Sequence, residues 1–82
     1  MSERAPETGD EALGRKLREI RLERGTVLKQ AARAAGVSVS SIHAYEKGLA
    51  MPSVRALANL AALYGVSLDR LCRYFSEKYA AA

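Results

Sequence analysis

The 82-residue sequence has no tryptophan, one cysteine, one histidine and two prolines. The lone Cys72 cannot form an intrachain disulfide, and no cluster of Cys and His residues could hold zinc. Long apolar runs are also missing, which excludes a transmembrane helix, and the polar segment 1–10 excludes a secretory signal. At this length the core is small and one domain is the limit. We therefore expect a soluble cytoplasmic domain without metal or cofactor.

Negative charge is scarce outside the first ten residues. The net charge is +4 overall, but residues 1–10 carry −2, so residues 11–82 carry +6. A basic excess on a small domain favours a polyanionic partner, with nucleic acid ahead of an anionic membrane. No paired carboxylates, no nucleophile with a His partner and no Gly-rich phosphate loop are present. The sequence therefore does not indicate an enzyme.

The first helix is predicted by an apolar period. Residues 1–9 show no such period and are expected to form a disordered tail. Asp10 is the predicted N-cap of a helix over residues 11–24, on which Leu13, Leu17 and Ile20 share one face. Gly14 lies inside this helix, where glycine costs about 1 kcal/mol relative to alanine. It therefore predicts a close approach to a neighbouring backbone.

Four more helices follow, each with a Ser or Thr before it and the first three with a Gly at the end. They are expected over residues 27–35, 39–47, 54–64 and from 68 onward, with caps Thr26, Ser38, Ser53 and Ser67. Val54 and Leu57 are placed inward on the fourth. No strand is expected. The predicted fold is an all-α compact five-helix bundle, with residues 10–72 as the domain and residues 73–82 as a C-terminal helical extension of helix five.

The second and third helices form the pattern of a helix-turn-helix around Gly36-Val37-Ser38. In such a pair the N-terminal residues of the second helix can enter a DNA major groove. Ile42 and Tyr45 are expected to face the core. The residues left to meet DNA are Val39, Ser40, His43, Ala44 and Lys47.

Spacing from Leu13 to Leu71 resembles the family of phage-repressor and Cro-like DNA-binding domains, which are lambda-repressor-like and are also called the xenobiotic-response-element family. The matching motifs are Leu13-Gly14-x-x-Leu17-Arg18-x-Ile20-Arg21-x-x-Arg24-Gly25, Ala32-x-x-Ala35-Gly36-Val37-Ser38, Ser41-Ile42-x-x-Tyr45-Glu46-x-Gly48, Pro52-Ser53 and Leu57-x-x-Leu60-Ala61-x-x-Tyr64-Gly65-Val66-Ser67-Leu68-Asp69-x-Leu71. The resemblance implies a bacterial or phage regulator, cytoplasmic and nucleoid-associated, that binds a palindromic operator in double-stranded DNA, usually as a homodimer.

The resemblance also implies a partly buried ion pair between Arg21 and Glu46, which ties the first helix to the third. Breaking one partner of a buried pair costs about 3–5 kcal/mol, whereas an exposed pair contributes less than about 1 kcal/mol. The alternative is that Arg21 is a solvated charge for phosphate and Glu46 a surface residue.

The start of helix two departs from the family, which has Ser-Gln or Asn-Gln where this chain has Val27 and Leu28. The side-chain clamp on a phosphate is therefore missing. Backbone N–H groups with Lys29 or Gln30 are possible substitutes, while Leu28 is expected to join the core.

The residues expected to contact bases, Val39, Ser40, His43 and Ala44, include no Arg, Asn or Gln for a bidentate bond. Val39 and Ala44 suit thymine methyl groups, Ser40 suits almost any base edge, and His43 suits a purine acceptor or a phosphate. His43 is equally consistent with a solvated surface residue. Specificity then depends on methyl contacts, water and DNA deformability, or on a partner.

The sequence offers more candidate residues for phosphate contacts than for base contacts. Phosphate contacts set affinity without specifying sequence. With about four to six phosphates neutralised per protomer, log affinity falls against log salt with a slope of roughly −4 to −5 per half-site. The alternative is that these side chains only add solubility. The candidates are Lys29, Gln30, Arg33, Ser38, Lys47, Ser53 and Arg55.

Most of the aromatic residues lie near the C-terminus, and a small domain cannot easily bury all of them. We predict a homodimer through helix five, with Leu71, Tyr74, Phe75 and Tyr79 at the interface. The two recognition helices then lie about 34 Å apart, one turn of DNA. The alternative is that Phe75 and Tyr79 fold back on helix one.

Two functions remain open. The first is a sequence-specific regulator, expected to be a repressor, that inserts the helix over residues 38–47 into DNA. The second is a protein-interaction module of the same fold that binds another regulator or the transcription machinery. The regulator is the main prediction, and the scarcity of polar base-contacting side chains is the best support for the alternative.

Overall fold

The computed structural model describes the backbone of residues 8–80 and the side chains of residues 8–74. This part of the chain contains five α-helices and no strand, which confirms the predicted all-α five-helix fold. The helices are α1 (Gly9–Glu23), α2 (Leu28–Ala35), α3 (Val39–Glu46), α4 (Val54–Tyr64) and α5 (Leu68–Ala80). Residues 1–7, most of the predicted tail, lie outside the described residues.

The core lies where α1 contacts α3 and α5, and where α2 contacts α3 and α4. Small side chains of α2, Ala31, Ala32 and Ala35, are buried and let the neighbouring helices approach closely. The largest fully buried side chains come from α1, α3, α4 and α5, and they are Leu13, Leu17, Ile42, Leu60, Tyr64 and Leu71. Burying side chains of this size contributes about 1.5–3 kcal/mol each.

Serine caps fix the starts of three helices as predicted. The Oγ atoms of Ser38, Ser53 and Ser67 accept hydrogen bonds from backbone N–H groups three residues later, at 3.1, 3.1 and 3.0 Å. Each bond satisfies one of the backbone donors that have no partner within the helix. The starts of α3, α4 and α5 are therefore well defined.

Two predicted caps are wrong. α1 begins at Gly9, because Thr8 rather than Asp10 is its N-cap; Thr8 Oγ1 accepts from Glu11 N–H and Glu11 Oε1 accepts from Thr8 N–H, a reciprocal capping box. α2 is capped by Val27 rather than Thr26. Valine has no side-chain acceptor for a backbone N–H of the first turn. Instead, Val27 N–H donates a hydrogen bond to Gln30 Oε1 at 3.1 Å.

Packing of α4 and α5 corrects further expectations. Val54 is 77% exposed rather than inward, and Ala56 is buried in its place. Leu71 is fully buried within the chain, so the prediction that it lies at a dimer interface is wrong: a core side chain has no surface to offer a partner. Tyr74 is half-buried against the core. The side chains of Phe75 and Tyr79 lie outside the described residues.

Gly14 makes the close backbone approach that its place in α1 predicted. A β-carbon at this position would overlap the carbonyl oxygen of Tyr45 and would lie 2.9 Å from the carbonyl oxygen of Glu46. The C-terminal end of α3 therefore rests directly on the backbone of α1. This contact fixes the angle at which α3 is presented.

Candidate nucleic-acid interface

α3 presents its outer face to solvent. Ile42 is 1% exposed and anchors the helix in the core, while Val39, Ser40, His43 and Lys47 are exposed and Ala44 is half-buried. These five outward residues line one open depression together with Leu49, which follows the helix. The structure thus brings the four predicted base-contacting residues onto a single accessible surface, which we call the α3 groove.

A second depression lies on the outer face of α2. Lys29, Gln30 and Arg33 line it together with Val27 and Ala34. The Oε1 atom of Gln30 accepts a hydrogen bond from Val27 N–H, whereas its NH₂ group takes no part in that bond. Three of the predicted phosphate-binding residues therefore share one surface, the α2 cleft. The side chain of Leu28 turns the other way and packs against the core, as predicted.

The other predicted phosphate contacts are exposed but line neither surface. Ser38 Oγ accepts from Ser41 N–H and lies 3.0 Å from Ser41 Oγ, so its hydroxyl already has local partners. Ser53 Oγ accepts from Ala56 N–H, which leaves its O–H as a donor. Arg55 is exposed in the first turn of α4.

Bases outnumber acids in the segment of the chain that carries the groove and the cleft. From Arg24 to Leu68 the only acidic residue in the sequence is Glu46, against five bases. Glu46 is 6% exposed and neutralised by Arg21. Lys29, Arg33, Lys47 and Arg55 therefore give this segment a net positive charge, which favours a polyanionic partner.

The predicted ion pair between Arg21 and Glu46 is present and bidentate. Arg21 Nε donates to Glu46 Oε2 at 2.6 Å, and Arg21 Nη2 donates to Oε1 at 3.0 Å. Arg21 Nη1 also donates to the carbonyl oxygen of Thr26 at 3.0 Å, which ties in the connection to α2. The hydrogen bond to Glu46 raises the pKa of Arg21, so the guanidinium stays charged. Its position between α1 and α3 favours a role in orientation.

Tyr64 is buried beside this pair, at the C-terminal end of α4. Burial raises the pKa of its phenol to about 12, and the charge of Glu46 adds to the effect. The backbone carbonyl of Tyr64 accepts a bond from Arg24 Nε at 2.8 Å, which joins the end of α1 to the end of α4. One of the aromatic residues near the C-terminus, Tyr64, therefore belongs to the core rather than to an exposed patch.

Tyr74 is also held within the chain. The Lys16 ammonium lies 5.2 Å from its ring centroid, within the range of a cation–π contact. Its hydroxyl accepts a bond from Arg70 Nε at 3.1 Å. The ring therefore fastens α5 to α1, and only part of it remains for contact with a second protomer.

Leu49 is the site residue that sequence reasoning missed. It lies in the loop after α3, and its membership of the groove is a tertiary effect with no periodic signal. Val27, on the rim of the α2 cleft, was interpreted only as a missing polar clamp. It is 58% exposed and stands at the cap position.

No group of three or more His, Cys, Asp or Glu side chains in the described residues is placed to hold a metal ion. Among the described helices, none combines the length and the apolar content needed to cross a membrane.

Comparison with known proteins gives one consistent result. A family model for a helix-turn-helix domain matches residues 12–73. The HTH-type transcriptional regulator DdrOP3 of Deinococcus deserti is 43% identical over 56 residues, which are 68% of this chain and 43% of that protein. The chain thus spans less than half the length of that relative.

Two crystal structures of the clp gene regulator ClgR from Corynebacterium glutamicum have the same fold. One superposes with a TM-score of 0.78 at 30% identity, over 93% of this chain and 82% of ClgR. The other gives 0.74 at 29% identity, over 89% of this chain and 94% of ClgR.

Proposed function

The chain belongs to the helix-turn-helix domain family, and from that membership we propose that it is a sequence-specific DNA-binding transcription regulator whose α3 enters the major groove. The observation that carries this proposal is the α3 groove itself. Its residues are solvent-accessible, its helix starts at a defined cap, and the segment from Arg24 to Leu68 that carries it has five bases against one paired acid. The similar proteins named as transcriptional or gene regulators support the same function.

The α2 cleft and the α3 groove bind different parts of the duplex. The α2 cleft supplies Lys29 and Arg33 for phosphates, which fix the protein on the duplex without reading its sequence. The α3 groove supplies the side chains that meet base edges. Arg21 and Glu46 hold α3 against α1, so that both surfaces face the duplex in one orientation.

The regulator acts as a homodimer on a palindromic operator. In this geometry two copies of α3 lie about 34 Å apart and enter successive major grooves on one side of the duplex. Repression is the simplest outcome of such binding, because an occupied operator that overlaps a promoter excludes the polymerase. Phe75 and Tyr79 remain the proposed contacts between protomers, whereas Leu71 is removed from that set by its burial.

Selection from a random duplex library at two salt concentrations tests the DNA-binding function. We expect enrichment of a palindrome with half-site centres about 10 base pairs apart. Lys47→Ala is expected to weaken binding evenly across sequences, while Ser40→Ala shifts the preference among sites. Equal and sequence-blind losses from both variants contradict the placement of α3, and binding of all sequences alike contradicts specificity.

Sedimentation of the double variant Phe75→Ser and Tyr79→Ser tests the dimer. We expect the wild-type chain to sediment as a dimer and the variant as a folded monomer with weakened operator binding. Truncation after Arg73 is less informative, because it also removes Tyr74, which packs against the core. A variant that remains dimeric excludes this interface.

A second function has one specific observation in its favour. Val39 is 43% exposed and Leu49 is 76% exposed, so the α3 groove offers apolar surface to a partner. An apolar groove also suits a helix of a partner protein. The library selection separates the two functions, because a protein-interaction module enriches no duplex sequence.

A further inference from the structure

We infer that the α3 groove recognises the 5-methyl groups of thymines, with Leu49 as a specificity-determining residue outside the recognition helix. This inference rests on the proposed function and names the base chemistry that the groove selects. Three aliphatic side chains, Val39, Ala44 and Leu49, line the groove. In the free protein they are covered only in part, with Leu49 the most exposed.

The chemistry of the major groove limits what these side chains can meet. Guanine, adenine and cytosine show hydrogen-bonding edges there, while thymine alone adds a methyl group. The α3 groove contains no Arg, Asn or Gln, the side chains that form bidentate bonds to purines. The aliphatic side chains of the groove are therefore expected to contact thymine, and burial of its methyl group distinguishes thymine from the other bases.

The polar members of the groove, Ser40, His43 and Lys47, add single hydrogen bonds that discriminate among bases less sharply than a bidentate pair. Lys47 offers a single charged group to an acceptor or a phosphate, and Ser40 donates to or accepts from almost any base edge. The segment from Arg24 to Leu68 carries five bases against one acid, Glu46, and that acid is paired with Arg21, so its net charge favours an anionic occupant. Charge complementarity thus favours duplex DNA as the occupant of an otherwise apolar groove.

The length of α3 sets the spacing of the contacts. Eight helical residues span about 12 Å, which equals three to four base-pair steps of about 3.4 Å. Val39 stands at the beginning of this span and Leu49 beyond its end. The half-site is therefore expected to hold at least two thymines, on either strand, separated by about four to five base pairs.

Replacing thymine by uracil in the selected operator tests the inference, because uracil lacks the methyl group and keeps the hydrogen-bonding edge. We expect each contacted position to lose roughly three- to fivefold in affinity, the value of one buried methyl group. In the reverse test, 5-methylcytosine placed at a contacted position in a cytosine-substituted operator recovers part of the loss.

Two leucine variants assign the contact to a residue. Leu49→Ala is expected to abolish the thymine-over-uracil preference at one position while leaving the others unchanged. Leu22→Ala is the matched control, because Leu22 is also exposed, at 53%, but lies on α1 and lines neither surface. It is expected to keep the preference at every position. Circular dichroism confirms that both variants are folded.

The results separate this inference from the function it rests on. An enriched operator that binds equally well with uracil at every position overturns the methyl contact and leaves the DNA-binding function intact. An operator without thymines does the same. A library in which no sequence is enriched overturns both.

Discussion

Gly14 of α1 lies against the carbonyl oxygen of Tyr45 at the end of α3, with no room for a β-carbon between them. The contact joins backbone to backbone, so neither side can yield by rotating a side chain. The helix that we propose to enter DNA is thus held by the smallest residue available on the helix behind it.

Gly14→Ala is therefore expected to destabilise the fold, although alanine is the better helix former by about 1 kcal/mol. Overpacking of a rigid contact costs about 1–3 kcal/mol or more and displaces α3. Urea unfolding measures the change. Asn59→Ala, at an exposed position within α4, is the control and should keep or raise stability. A stabilised Gly14→Ala variant would show that the contact is loose.

The pair of Arg21 and Glu46 provides a second test of how α3 is held. Each single change, Arg21→Met or Glu46→Met, leaves a buried charge without its partner and should cost about 3–5 kcal/mol. The double variant replaces both charges by apolar side chains and should recover much of that loss. Glu19→Ala, which removes exposed pairs with Arg15 and Lys16, is the control and should cost less than about 1 kcal/mol. Additive losses in the double variant contradict the coupling.

Tyr64 makes stability depend on pH in the alkaline range. Its pKa is about 12 in the fold and about 10 in the unfolded chain, so the folded state retains the proton more strongly. This contribution is fully present below about pH 10 and is lost as the pH rises from about 10 to about 12, for a fall of about 2–3 kcal/mol. Unfolding of Tyr64→Phe and of the wild type at several pH values isolates the contribution of the Tyr64 phenol to the pH dependence of stability. Parallel pH profiles for the two proteins would exclude it.

Lys29 and Arg33 of the α2 cleft are expected to bind phosphates. Replacing either by alanine should weaken binding to all duplexes and reduce the slope of log affinity against log salt by about 1. Arg18→Ala removes an exposed positive charge from α1 and should leave that slope unchanged. If all three variants reduce the slope equally, the cleft has no special role and only net charge matters.

Local sequence signals predicted the fold because they act within a few residues. Serine before an apolar period predicted the starts of α3, α4 and α5, since each hydroxyl bonds an N–H three residues later. The Thr8 cap was missed although its signal was present: Thr followed three residues later by Glu is the capping-box spacing. Asp10 fitted the preference for a single cap equally well, and a local rule cannot choose between them.

Features that depend on tertiary packing were harder to predict from the sequence. Val54 continues the apolar period of α4, yet it occupies the first turn, where no other helix covers it. Leu71 belongs to the stripe of α5 that suggested an interface, but it is a core residue. Leu49 joins the α3 groove only because the loop after α3 returns beside it. Each outcome depends on what lies opposite, which sequence spacing does not report.

The most direct test of the central claim is a map of backbone amide chemical shifts for the isotopically labelled chain, recorded with and without the selected duplex. The proposed interface predicts that the largest changes fall on Val39, Ser40, His43 and Lys47, with a second group on Lys29 and Arg33. The outer face of α1, including Arg18 and Glu23, should stay unchanged. Changes centred on α1 or α5, with α3 unaffected, would contradict the account.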